Sequence, residues 1–127
     1  MQADLAKVAD SELKILQLLW RCGREMTMPE IRRTLTKEVG WGDVTVKTLL
    51  YRLVDKGAVI ADKREIYHYT PAFTEREYNA YANEVFLDKV YGGSVRGLVA
   101  SLIDARRLTR EDIAELRDLL REEENHA

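Results

Sequence analysis

Between Trp41 and Gly57 the chain reads WGDVTVKTLLYRLVDKG, and no other stretch limits its fold so strongly. At the helical period Val46, Leu49, Leu50 and Leu53 fall on one apolar stripe. The opposite face carries Val44, Thr48, Tyr51 and Arg52, with Thr45 and Lys47 on its flanks. With Gly42 as N-cap, Trp41 and Val46 have the spacing of a hydrophobic staple, and Asp43 meets the helix dipole in the first turn. Lys56-Gly57 supplies the stop. Leucines inward with hydroxyls, methyls and cations outward suit the major groove of DNA. Arginine forks onto guanine there, and valine and threonine methyls meet thymine methyls. An ordinary amphipathic helix with a solvated polar face fits the same pattern, so the flanking segments must decide.

After Gly57 the period changes from helix to strand. Ala58 to Asp62 is short and β-prone, and Ile66 to Thr70 alternates Ile66, His68 and Thr70 against Tyr67 and Tyr69. Lys63-Arg64-Glu65 is a polar tip of hairpin length. Tyr67 and Tyr69 read as core and packing residues, and His68 as a structural or surface histidine. Upstream, the first nine residues read as a loosely held arm. Asp10 as N-cap opens a helix to about Arg21, with Leu13, Leu16, Leu19 and Trp20 as its stripe. Cys22-Gly23 ends it, and Met26-Thr27 has the makings of a very short strand. Thr27 to Glu30 is a capping box with a first-turn proline, starting a second helix to about Val39 that carries Arg32, Arg33 and Lys37 on or near its polar side.

Three helices followed by a basic-tipped hairpin over residues 1–71 make a winged helix-turn-helix. In that architecture the third helix enters the major groove, and the tip, here Lys63 and Arg64, reaches a flanking phosphate or the minor groove. The same fold also serves as a protein-interaction module without DNA binding. Exposed Thr48 and Arg52, together with the cationic tip, favour DNA.

Charge and composition test that reading. The net charge of −2 is an unusual balance for a DNA partner until it is divided. Residues 1–71 hold 12 Lys and Arg against 10 Asp and Glu, whereas residues 72–127 hold 8 against 12. Local basic patches on the first part are therefore compatible with the total. At 46% apolar and 33% charged residues, with no apolar run near membrane-spanning length and no secretory leader pattern, the chain reads as cytoplasmic. Cys22, the single cysteine, precludes an internal disulfide or a multi-thiolate metal site and reads as a small buried filler. Two histidines, His68 and His126, one cysteine and no glycine-rich phosphate loop argue against catalysis, and no cofactor or metal is expected.

Residues 72–127 form a second, helical domain. Phe73 with Tyr78 is a staple around a Thr74–Glu77 capping box, and Tyr78, Ala82, Val85 and Phe86 continue a stripe to about Tyr91. Gly92-Gly93 breaks it. A fifth helix from Val95 to about Arg107 repeats the stripe with Leu98, Val99, Leu102 and Ile103. Leu108 to Ile113 is another staple and cap, and Ile113, Leu116, Leu119 and Leu120 line a sixth helix with a fraying, solvated end at Arg121 to Glu124. So small a lobe buries too little surface to be stable alone. Its stripes, carried by Tyr78, Val85, Phe86, Leu98, Leu102, Ile113, Leu116 and Leu120, are expected to close against a second copy. A homodimer also matches a reader of a two-fold, palindromic operator. The fold class is mainly α with a small β-hairpin: an N-terminal winged helix-turn-helix plus a C-terminal three-helix dimerisation lobe.

Four stretches, SELKILQLLW, W-x-x-x-TVKTLLYRLVDKG, Y-x-Y-x-P and KVYGGSVRGLVASL, resemble the penicillinase-repressor family (the BlaI/MecI/CopY group). The likeness runs from about Asp10 to Leu120. It implies a dimeric transcriptional repressor, with Thr45, Lys47, Thr48 and Arg52 on the recognition helix and Lys63 and Arg64 on the wing. Two departures follow. Copper-responsive members carry paired Cys-x-Cys motifs near the C-terminus, whereas this chain ends REEENHA, so metal sensing through thiolates is not expected. In β-lactam-responsive members a membrane sensor-protease system leads to cleavage of an Asn-Phe bond in the fifth helix. The matching bond here is Ser101–Leu102, which does not meet that preference.

Overall fold

Caps and glycines divide the chain into its elements. The computed structural model describes residues 5–126. After a single 3-10 turn at Leu5–Lys7 come α1 (Asp10–Cys22), β1 (Met26–Thr27), α2 (Met28–Val39) and α3 (Asp43–Asp55). β2 (Val59–Lys63), β3 (Tyr67–Pro71), α4 (Glu75–Tyr91), α5 (Val95–Asp104) and α6 (Arg110–His126) follow. The chain divides into two compact units, residues 1–81 and 82–127.

In the first unit Ile15, Leu16, Leu19, Ile31, Leu50 and Leu53 are fully buried, so the leucine stripes of α1, α2 and α3 meet in one core. Gly57, at φ 77°, ends the third helix in a left-handed conformation that costs glycine nothing, and Ala58 returns at once to the core. The expected hairpin is the larger part of a three-stranded antiparallel sheet of order β1-β3-β2. Met26 pairs with Tyr69 and Thr27 with His68, giving the short strand its place.

Several expectations need correction. Asp10 is the first helical residue and Ala9 the N-cap, because the Glu12 carboxylate reaches back to the Ala9 amide at 2.9 Å. Glu12 is only 1% exposed and accepts from Lys56 Nζ at 2.6 Å, a buried charge answered by an opposite one. The arm is held over residues 5–9: Leu5 and Val8 pack on the core, and the Lys7 carbonyl also accepts from Lys56 Nζ. Its first four residues lie outside the described ones. Tyr67 is exposed and Tyr69 half-buried, because Tyr67 sits one step from the hairpin tip, beyond the core's edge.

The domain boundary set at Pro71 moves ten residues on, into α4. Trp20 Nε1 donates to the Phe73 carbonyl at 2.9 Å, Phe73 is buried, and Tyr78 stacks on Phe73 with ring centroids 6.2 Å apart. The start of α4 thus belongs to the first unit.

In the second unit the helices are well capped. Thr109 and Asp112 exchange hydrogen bonds of 3.0 Å at the start of α6, and Ser94 Oγ accepts from the Gly97 amide at the start of α5. α5 stops at Asp104, three residues short of expectation, where Arg106 turns left-handed at φ 55° and the Arg107 amide donates back to the Leu102 carbonyl. α6 continues to His126 through the stretch expected to fray. None of α4, α5 and α6 contains a buried residue.

Candidate nucleic-acid interface

A helix can read a duplex only if one face is pinned and the other is free. α3 meets both demands. Val46, Leu49, Leu50 and Leu53 are buried, and Val44, Thr45, Lys47, Thr48, Tyr51 and Arg52 are exposed. Even the large apolar groups among them stand in solvent, Val44 at 78% and Tyr51 at 72%. Gly42 is the N-cap as expected, and Trp41, just before it, packs against the core. Thr36 Oγ1 donates to the Trp41 carbonyl at 2.6 Å, tying the end of α2 to the turn. Arg32 reaches Asp43 at 3.4 Å across the two helices, which restrains the entry of α3. At its other end Lys56 is fixed to Glu12 of α1. Both ends of the exposed face are therefore anchored by side chains from other helices.

The cations divide into two sets. Arg21, Arg24, Arg32, Lys56 and Arg64 each have a carboxylate partner. Among the described residues Lys47, Arg52 and Lys63 have none within 4.0 Å, and they lie on α3 and the wing. A cation free of an internal partner gives up no ion pair when it meets a phosphate. Lys7, Lys14, Arg33, Lys37, Arg76 and the cations of the second unit are also unpaired by the same measure among the described residues, so it is position on α3 and the wing that sets Lys47, Arg52 and Lys63 apart.

Cross-strand partners share a face of a sheet, so Lys63 with Tyr67, and Ala61 with Tyr69, point to one side. Ala61, Tyr67 and Tyr69 line a hollow of about 480 Å³ with Lys47 and Tyr51 of α3, so this side of the wing faces the exposed helix. Lys63 therefore joins the α3 residues. Arg64 does not. Its Nη1 and Nη2 donate to the two Glu25 oxygens at 2.8 and 2.7 Å, and its Nε donates to Asp62 at 3.0 Å. That fork holds the Glu25 carboxyl below its ordinary value and raises the guanidinium's. Glu25 and Glu12 were missed in the sequence as partners, since nothing local marks a contact 39 or 44 residues away.

In the second unit Val85, Phe86, Leu102, Ile113, Leu116 and Leu120 are all exposed, Leu120 at 66%, and Leu98 is half-buried. Val99, Ile103, Leu108, Ile113, Leu116 and Leu120 line an open apolar hollow of about 510 Å³ between α5 and α6. Ser101 and Leu102 lie within α5 and both are exposed. Tyr78, also expected in that set, is half-buried and packs within the first unit against Trp20 and Phe73. Among the described residues no helix is long and apolar enough to cross a membrane.

The family model described as penicillinase repressor matches residues 8–122. The penicillinase repressor of Bacillus licheniformis is 29% identical over 122 residues, covering 95% of this chain and 94% of that one. A methicillin resistance regulatory protein MecI of Staphylococcus aureus is 24% identical over 115 residues, covering 90% and 93%. Among solved structures, the DNA-binding domain of the repressor BlaI matches with a TM-score of 0.54 at 28% identity, over 61% of this chain and 94% of that one. The monomeric form of Bacillus licheniformis BlaI in complex with the blaP half-operator matches with a TM-score of 0.52 at the same identity and coverage.

Proposed function

Since the chain belongs to the penicillinase repressor family, we propose that it is a transcriptional repressor that binds a palindromic operator as a homodimer. The observation that carries this is the exposed α3 face, where Lys47, Thr48, Tyr51 and Arg52 stand free above a fully buried leucine stripe. Arg52 and Thr48 read base edges, Val44 and Thr45 offer methyls to thymine, and Lys63 neutralises a flanking phosphate. The protein works by occupancy and carries out no reaction. The rival reading, a winged-helix module that binds only protein, requires Thr48 and Arg52 to be taken up in packing, and both are exposed. The relatives' roles in penicillinase and methicillin resistance support a regulon of antibiotic resistance genes, with the protein acting in the cytoplasm.

The dimer forms through the second unit. Val85, Phe86, Leu98, Leu102, Ile113, Leu116 and Leu120 close against a second copy, since a single chain leaves all but the half-buried Leu98 exposed. Opening this lobe, by a cut near Ser101–Leu102 under a membrane sensor-protease or by another signal, releases the operator. Fluorescence anisotropy with a duplex from the region upstream of the chain's own reading frame tests the reading. Arg52→Ala or Thr48→Ala should each cost about 1–3 kcal/mol on that duplex and relax its preference over a scrambled one. Equal affinity of the parent protein for both duplexes would contradict it.

A further inference from the structure

Arg64 stands at the wing tip, where a cation is expected to touch DNA, yet all three of its nitrogens lie within 3.0 Å of a carboxylate oxygen. Glu25, which it grips with two parallel bonds, immediately precedes β1 and the start of α2. The grip continues inward. Arg24 donates to the Glu25 carbonyl at 2.8 Å and to Glu30 at 2.7 Å, and Glu30 closes the cap of α2 on Thr27. A bidentate arginine–carboxylate pair fixes orientation as well as distance. We infer that Arg64 is a positioning residue: its fork onto Glu25 sets the wing against the helix-turn-helix, so that Lys63, the last residue of β2, makes the phosphate contact. The inference rests on the reading of α3 and the wing as an operator-binding surface.

The full chain, the upstream duplex and a salt titration distinguish a latch from a contact. Each phosphate contact contributes about 0.9 to the slope of log affinity against log salt. Lys63→Ala should lose about that much slope. Arg64→Ala, Arg64→Lys and Glu25→Gln should each weaken binding by roughly two- to fivefold and keep the parent's slope, as an ion pair of this exposure allows. The double variant Glu25→Gln with Arg64→Ala should be no weaker than either single one. Lysine keeps the charge and loses the fork, so a direct phosphate contact would survive Arg64→Lys and a latch does not. An arginine merely held back by Glu25 would bind DNA more tightly in Glu25→Gln. A slope reduced in Arg64→Ala, or affinity retained in Arg64→Lys, would overturn the inference. Amide exchange at residues 64–66 in the DNA-free protein reads the latch separately: it should quicken in Glu25→Gln. Unchanged exchange would remove the latch even if operator binding stands, and a parent with no operator preference would remove the operator reading while leaving the exchange result in force.

Discussion

The two units are built from equally well-formed helices and differ in what those helices cover. α1, α2 and α3 carry their leucines into a shared core in which Ile15, Leu16, Ile31, Val46 and Leu53 are completely shielded. α4, α5 and α6 have comparable caps, yet apart from the start of α4, where Tyr78 packs on the first unit, they leave their apolar residues exposed or half-buried. Capping and periodicity therefore specify that a helix forms, while its stability depends on a partner for its apolar face. The first unit finds that partner within the chain. The second leaves those faces exposed, and in the proposed dimer a second copy covers them.

The largest effect should come from making that difference permanent. Leu102→Asp puts a charge on the uncovered face of α5 and should yield a monomer by sedimentation, with the winged helix intact by circular dichroism. Operator affinity should fall by roughly 10²–10⁴, the avidity lost when two readers are unlinked. A monomer that kept full affinity would break the division of labour. Leu53→Ala attacks the other side. It opens a cavity in a completely buried site and should cost about 2–5 kcal/mol, at a denaturant midpoint that does not move with protein concentration. Leu116→Ala should by contrast act mainly through the concentration dependence of unfolding.

The smallest effect is a titration in the first unit. Arg24, then the Thr27 backbone amide, hold the Glu30 carboxyl at about 2 against an ordinary 4.5. A carboxyl lowered on folding stabilises fully above its unfolded value and loses that contribution as the pH falls toward the folded one. The stability difference between the parent and Glu30→Gln should therefore be constant above about pH 4.5 and disappear between there and pH 2. A difference that persisted at pH 2 would mean that the cap acts through shape and not charge.

How much of this could be read in the sequence depends on how far apart the interacting residues lie. The two faces of α3, the Thr27–Glu30 and Thr74–Glu77 caps and the stop at Gly57 are all local signals, and they stand where the spacing puts them. What escaped is long-range. The Glu12–Lys56 pair, the Arg64–Glu25 fork and the Trp20–Phe73 bond join residues 39 to 53 apart, which no period encodes. The last of these ties the approach to α4 to the first unit. α5 ended early for a related reason: its left-handed terminus falls on Arg106, which carries none of the signal a glycine would give.

The contrast between the units is tested most directly by amide hydrogen exchange at two protein concentrations, one well above and one well below the dissociation constant of the proposed dimer. Amides of α5 and α6 should lose protection on dilution, while those of α1, α2 and α3 keep theirs. Protection in α5 and α6 that is as strong as in α1 to α3, and indifferent to dilution, would show that the second unit holds its fold without a second copy.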